Sequence, residues 1–84
     1  MDSNNTKQAI KDYILTEFLP GENPSLLTDS TPLVTGGILD SLAILKLVAS
    51  LQERFEIEIE PHETAVEYMD TLPDITSLVD SKLS

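Results

Sequence analysis

Apolar residues near the start of the chain recur at every fourth position. Ile10, Ile14 and Phe18 follow this spacing. Because such a spacing places side chains on one face of an α-helix, the pattern predicts a helix over about residues 6–19 with one buried face. The Pro20-Gly21 pair is a helix-stopping signal and sets the predicted end.

A stronger helical pattern covers about residues 41–55. Strong helix formers such as Leu, Ala, Lys, Gln and Glu crowd this stretch, and neither Gly nor Pro interrupts it. The apolar positions occupy more than half of the helix circumference, which is more than a helix resting on one neighbour needs. They are Leu42, Ile44, Leu45, Leu47, Val48, Leu51 and Phe55. We therefore expect a central helix that contacts a second helix or a partner.

The segment between these helices, residues 20–40, has neither a helical nor a strand period. It holds three of the five prolines and all three glycines of the chain, so it predicts a long connecting loop. Long connections in compact domains tend to be functional or well packed. We expect the apolar side chains of this loop to point inward, namely Leu26, Leu27, Leu33 and Val34.

Residues 56–60 alternate charged and apolar side chains, which is a strand pattern, but no second strand pattern accompanies it. A single five-residue strand cannot form a sheet, so we interpret this stretch as an extended connector that buries Ile57 and Ile59. Pro61 is tolerated at the first position of a helix, and the sequence after it predicts a short third helix over about residues 61–69.

The last predicted helix covers about residues 74–83, with Asp74 as its N-cap and Lys82 near its negative end. The predicted fold is therefore all-α, a small four-helix bundle with a long loop between helices 1 and 2 and a short third helix. At 84 residues the chain is long enough for one domain, so we expect a single domain over residues 1–84.

Composition and charge narrow the function classes. The formal net charge of -10 would repel nucleic acid and anionic membranes, so neither is an expected partner. The chain has no cysteine, and its first residues show no basic patch followed by an apolar run, which predicts a cytoplasmic location. We expect a monomer.

Catalytic and metal-binding patterns are nearly absent from the sequence. His62 is the single histidine and stands beside Pro61 and Glu63, where an exposed polar side chain is the ordinary interpretation. One histidine without cysteine does not make a metal site of known spacing, so we expect no metal and no catalytic residue.

The junction Thr35-Gly-Gly-Ile-Leu-Asp-Ser-Leu42 is the most specific feature of the sequence. It places the hydroxyl of Ser41 at the N-terminus of the central helix, where unpaired N–H groups and the helix dipole favour an attached phosphate. The alternative is that Asp40 or Ser41 only caps the helix. The local residues alone favour that alternative.

The wider sequence resembles the 4'-phosphopantetheine attachment site of acyl and peptidyl carrier proteins, and among them it is most like a stand-alone aminoacyl or peptidyl carrier. The resemblance rests on Leu39-Asp-Ser-Leu42, on Leu51-Gln-Glu-Arg-Phe55 and on Ile57-Glu-Ile59, together with the order of the four helices. It implies that Ser41 receives 4'-phosphopantetheine from coenzyme A, that Asp40 helps to engage the transferase and its metal ion, and that Leu42 docks partner enzymes. The carrier itself would be non-catalytic.

The number of acidic residues on the central helix distinguishes fatty-acid carriers from other carriers of this family. Fatty-acid carriers typically have an acidic face there, whereas Ala43, Lys46 and Gln52 stand where acids often occur. This pattern is more similar to aminoacyl or peptidyl carriers of natural-product pathways. Fatty-acid, polyketide or D-alanyl carriage is the alternative cargo, and an unmodified helical adaptor is the alternative of another class.

The resemblance also implies partners. These are a phosphopantetheinyl transferase, an adenylating enzyme that activates an acyl or aminoacyl group, and downstream oxidase, condensing or transferase enzymes. The expected docking face on the carrier consists of Leu42, Leu45, Lys46, Ala49 and Ile59. For Leu45, ordinary core packing is an equally good interpretation.

Overall fold

The fold is a bundle of four α-helices, as the sequence predicts, in a computed structural model that describes residues 3–19, 21, 25 and 27–83. Helix α1 is Ser3–Phe18, α2 is Ser41–Phe55, α3 is Val66–Met69 and α4 is Leu72–Leu83. A 3-10 helix, Pro61–Thr64, precedes α3. Within the described residues there is no β-strand, so the alternation in residues 56–60 belongs to an extended connector.

The core is formed by one side of each helix together with anchors from the loops. Ile10 and Ile14 of α1 are almost completely buried, as the four-residue spacing predicts. Leu47 and Leu51 of α2 and several residues of α4 close around them. The buried apolar side chains are Ile10, Ile14, Leu27, Leu33, Leu39, Ala43, Leu47, Leu51, Ile59, Met69, Leu72, Ile75, Leu78 and Val79. Burial of these side chains is the main stabilising contribution to the fold.

Helix α1 differs at both ends from the predicted range of 6–19. It begins at Ser3, because residues 3–5 contain no helix-breaking residue and continue the helix by one polar turn. The prediction rested on the spacing of apolar residues, and a turn without apolar residues does not contribute to that spacing. It ends at Phe18, although the Leu19 N–H still bonds the Leu15 carbonyl at 3.2 Å. The predicted stop at Pro20 lies outside the described residues.

The connection between α1 and α2 packs its apolar residues inward. Leu27 and Leu33 are completely buried and Val34 is half-buried, whereas Leu26 lies outside the described residues. The two buried leucines anchor the loop to the core and fix its path.

The exit of α2 is organised by Gln52. Its backbone carbonyl accepts hydrogen bonds from the N–H groups of Glu56 and Ile57, and Glu56 adopts a left-handed conformation that ends the helix. The Gln52 side-chain oxygen then accepts the Ile59 N–H at 2.8 Å. These bonds turn the connector so that Ile59 enters the core, while Ile57 is half-buried.

The predicted third helix over 61–69 is interrupted at Ala65, whose ψ of 157° is extended. Before the break, the Glu63 carboxylate accepts the Glu60 N–H and pairs with Lys82 of α4 at 2.7 Å. After it, Met69 is completely buried. The break lets the two segments orient independently, so that one reaches α4 and the other reaches the core.

Helix α4 begins two residues earlier than the predicted 74–83, and its cap is Thr71 instead of Asp74. The Thr71 hydroxyl accepts the Asp74 N–H at 3.2 Å, and the Thr71 carbonyl accepts the first helical bond from Ile75. Pro73 falls in the first turn, where its missing N–H is not needed. The carboxylate of Asp74 instead lies near the positive end of the helix dipole.

Candidate functional site

Ser41 is the first residue of α2, and Asp40 is the N-cap. The Asp40 side chain accepts the Ala43 N–H at 2.8 Å, and its carbonyl accepts the Ile44 N–H at 2.9 Å. Ser41 is exposed, and its hydroxyl makes no hydrogen bond to any residue that the structure describes. The capping function therefore belongs to Asp40, which leaves the Ser41 hydroxyl available for covalent chemistry.

The loop before Ser41 is held by a tight turn and two buried anchors. The Gly37 N–H bonds the Val34 carbonyl at 3.1 Å, and the Leu39 N–H bonds the Leu33 carbonyl at 2.8 Å. Leu33 and Leu39 are both buried. These contacts fix the backbone two residues before Ser41, so the position of the hydroxyl is set by the fold.

Both glycines of this turn are required, for different reasons. A Cβ on Gly36 would lie 2.2 Å from the Pro32 carbonyl oxygen, which is far inside van der Waals contact. Gly37 has open space around it but a φ of +84°, a conformation that is strained for residues with a side chain. The sequence predicts a loop here, but the close approach of Gly36 to Pro32 has no signal in the sequence.

Asp70, at the junction of α3 and α4, fastens this loop to the other end of the chain. Its carboxylate accepts the N–H groups of Val34 and Thr35 at 2.9 Å each and the Thr35 hydroxyl at 3.0 Å. Its backbone carbonyl accepts the Leu33 N–H. The Thr35 N–H is the main cause that lowers the pKa of Asp70 below its ordinary value; partial desolvation opposes it, and the other two donors add to the lowering.

Sequence reasoning missed Asp70 because its partners stand 35 and 36 positions away. Periodicity and capping signals act over a few residues, so neither links these segments. The sequence shows only that Asp70 lies between two predicted helices. An aspartate in that position is ordinarily exposed to solvent or caps a helix, so it does not indicate a bond to a distant loop.

The residues expected on the docking face divide into exposed and buried sets. Leu42 is 61% exposed and Leu45 is 63% exposed, while Lys46 and Ala49 are also exposed. The core-packing interpretation of Leu45 is therefore excluded. Ile59 is only 6% exposed and lies in the core, where its side chain has little surface to offer a partner.

Helical spacing places the exposed residues beside Ser41. Leu45 is one turn from Ser41, Ala49 is two turns away, and Leu42 and Lys46 form an adjacent row. Large apolar side chains that remain exposed next to one another are typical of an interaction surface. Val66 of α3, at 45%, is also exposed.

A groove of about 260 Å³ lies between the end of α1 and the start of α2. Its lining includes the two neighbours of Ser41 in the chain. The lining residues are Glu17, Phe18, Ile38, Asp40, Leu42, Ala43 and Lys46. The groove is thus lined by both apolar and charged side chains and lies adjacent to the candidate attachment residue.

The part of the chain that the structure describes has neither a metal-binding cluster nor a membrane-spanning helix. No group of three or more His, Cys, Asp or Glu side chains is arranged to hold a metal ion there. In the same residues, no helix has the length and apolarity needed to cross a bilayer.

Comparisons with known proteins show the family of the chain. The sequence model of the family described as "Phosphopantetheine attachment site" matches residues 15–80, a range that contains the Thr35–Leu42 junction. A protein named D-alanyl carrier protein, from Lactobacillus acidophilus, is 36% identical over 76 residues. The match covers 90% of this chain and 92% of that protein.

Proposed function

The chain belongs to the phosphopantetheine-binding carrier proteins, and on that premise we propose that Ser41 bears the arm and that the cargo is an amino acid. The cofactor of this family is 4'-phosphopantetheine. When bound, it supplies a terminal thiol on which an acyl group is held as a thioester. The observation that carries the assignment to Ser41 is its exposed hydroxyl at the first position of α2, which has no hydrogen bond to any described residue.

The residues around Ser41 fit a phosphodiester. The N–H groups of Ser41 and Leu42 have no partner inside the helix, because the first turn of any helix leaves its amides unpaired. The 15-residue helix adds the positive end of its dipole. Asp40 keeps its cap on Ala43 whatever is attached to Ser41, so modification does not require the helix to refold.

An amino acid is the cargo that the sequence and the relative favour. Helix α2 carries Lys46 and Arg54 against the single acid Glu53, a net charge of +1 in a protein of -10. This departs from the acidic face that the partners of fatty-acid carriers recognise. The D-alanyl carrier protein relative makes D-alanine the first amino acid to test. Aminoacyl or peptidyl carriage in a natural-product pathway is the second candidate, favoured by the resemblance of the Thr35–Leu42 junction.

Partner enzymes dock, in this proposal, on the exposed face of Leu42, Leu45, Lys46 and Ala49. An apolar surface beside Ser41 brings the arm to a partner's active site, and the positive charge of Lys46 fits a neutral or acidic partner surface. The partners are a phosphopantetheinyl transferase, an adenylating enzyme and the downstream enzymes that use the cargo. Asp40 is the residue proposed to engage the transferase and its metal ion.

The carrier acts without catalysing a reaction itself. A tethered amino acid meets each active site at a high effective concentration and does not diffuse away between steps. Contacts with each enzyme must be weak enough to release, which suits a small apolar surface with one cation at its edge.

The test of the attachment site is the intact mass after incubation with coenzyme A and a broad-specificity phosphopantetheinyl transferase. We expect one phosphopantetheine increment on the wild type and on Ser50→Ala, a control in the same helix, and no increment on Ser41→Ala. An unmodified but folded wild type would refute the proposal and favour the unmodified adaptor.

The test of the cargo uses the modified protein with purified adenylating enzymes. We expect loading by an enzyme that activates an amino acid, with D-alanine tried first, and no loading by a fatty-acid-activating enzyme. Loading by the latter alone would refute the amino-acid assignment and leave the carrier assignment intact.

A further inference from the structure

The groove between α1 and α2 is lined by three charged groups, none of which has an ion-pair partner among the described residues. Glu17 of α1 and Lys46 of α2 are both exposed, and neither takes part in a salt bridge there. Asp40, the third charged residue of the lining, uses one carboxylate oxygen to cap α2. Glu17 is therefore the carboxylate of the lining that is not engaged in capping, and Lys46 is its cation.

The walls of the groove are held in place before any ligand arrives. The Tyr13 hydroxyl donates to the Lys46 carbonyl at 3.3 Å and so links α1 to α2. The Tyr13 ring contacts Phe18 edge-on, with 5.8 Å between the ring centroids. Because Phe18 packs on Tyr13 and Ala43 is buried, part of the apolar lining is in place in the folded protein.

The position of the groove restricts what can occupy it. Asp40 and Leu42 contribute to the lining and flank Ser41 directly, so a flexible arm on Ser41 can fold back into it. Tethering supplies a high local concentration, and weak contacts are then enough for occupancy. A volume of about 260 Å³ lies just below the range of ordinary ligand pockets, which suits a small group and not a long acyl chain.

We propose that this groove holds the aminoacyl end of the arm attached to Ser41, with the α-ammonium of the amino acid paired to the Glu17 carboxylate. This inference rests on the proposed function. The cargo side chain lies against Phe18 and Ile38. Lys46 repels the ammonium from its side of the groove, so the two charges orient the cargo. The pairing is selective because only a cargo with an ammonium group gains the ion pair with Glu17.

The experiment compares two cargoes that differ only in the amine. Alanyl and propionyl groups are joined to pantetheine by an amide in place of the thioester, and each is installed on Ser41 by a broad-specificity transferase. Backbone ¹H–¹⁵N spectra are recorded relative to the arm alone. We expect the alanyl group to shift the amide signals of Glu17, Ile38 and Lys46, and the propionyl group to leave them near their positions with the arm alone.

Two variants identify the carboxylate that is responsible. Glu17→Gln should abolish the difference between alanyl and propionyl spectra, because it removes the charge and keeps the shape. Glu53→Gln, at an exposed acid of α2 outside the groove, should preserve the difference. Equal shifts for the two cargoes, or a difference that survives Glu17→Gln, overturn the inference.

The mass of each sample separates failure of this inference from failure of the proposed function. A sample that gains the arm and cargo in mass but shows unshifted groove signals overturns the groove assignment alone. A folded sample that gains no mass overturns the assignment of Ser41 as the attachment residue, and the groove assignment with it.

Discussion

Thr76 of α4 provides a test of the packing in which removal of a polar group stabilises the protein. Its side chain is 6% exposed, and its hydroxyl has no hydrogen-bond partner among the described residues. Four buried apolar residues of the same helix, including Ile75 and Val79, accompany it. Substitution of Thr76 by Val keeps the shape of the side chain and replaces the hydroxyl by a methyl group.

The size of the effect follows from three contributions. Leaving a buried hydroxyl unpaired costs about 1–3 kcal/mol, which the substitution recovers. Burial of the new methyl group adds about 0.8 kcal/mol, and the helix propensities of Thr and Val are nearly equal. We therefore expect the free energy of unfolding of Thr76→Val to rise by about 2–4 kcal/mol. For a domain of this size, each kcal/mol raises Tm by about 4–8 °C.

The assay is urea unfolding followed by circular dichroism, with an unchanged dependence on urea concentration as a check that both states are comparable. Thr16→Val, at an exposed position of α1, is the matched control and should change stability by less than about 0.5 kcal/mol. A Thr76→Val protein less stable than the wild type would refute the reasoning. It would mean that the hydroxyl bonds a carbonyl of the preceding turn, as helical threonines can.

Three other perturbations test the elements that position Ser41 and the docking face. Gly36→Ala should destabilise the protein by about 1–3 kcal/mol in urea unfolding, because the new Cβ would lie 2.2 Å from the Pro32 carbonyl oxygen; an unchanged stability would mean that the turn opens freely. The pKa of Asp70 is lowered in the folded state, so its contribution to stability is present above its ordinary pKa of 3.8 and is lost as the pH falls through the lower folded value. The stability difference between wild type and Asp70→Asn should therefore shrink as the pH is lowered from about 6 to below 3, and a constant difference would contradict this role. Leu47→Ala should lower the free energy of unfolding by about 2–5 kcal/mol, whereas Leu45→Ala should leave it nearly unchanged and slow loading by partner enzymes; equal losses of stability would contradict the assignment of one residue to the core and the other to the surface.

The sequence by itself determined the helical architecture and the place of the candidate attachment serine. The apolar spacing in residues 10–18 and the run of helix formers over 41–55 are local signals, because each helix forms its own backbone hydrogen bonds. The Asp40-Ser41 pair could be placed at a helix start for the same reason, although capping and attachment remained alternatives until the wider resemblance was considered. The helix starts were predicted less well. Helices α1 and α4 both begin earlier than their apolar patterns indicate.

Only the tertiary structure decided which apolar residues are covered and which remain available to a partner. Leu45 and Leu47 are similar residues two positions apart, yet one is 63% exposed and the other is completely buried. Ile59 enters the core because Gln52 turns the connector inward. Periodicity reports which side chains share a face of a helix, but the burial of that face depends on elements far away in the chain. The hydrogen bonds of Asp70 to the loop and the groove beside Ser41 were likewise decided by the tertiary structure. Each joins segments that are distant in sequence and meet only in the folded bundle.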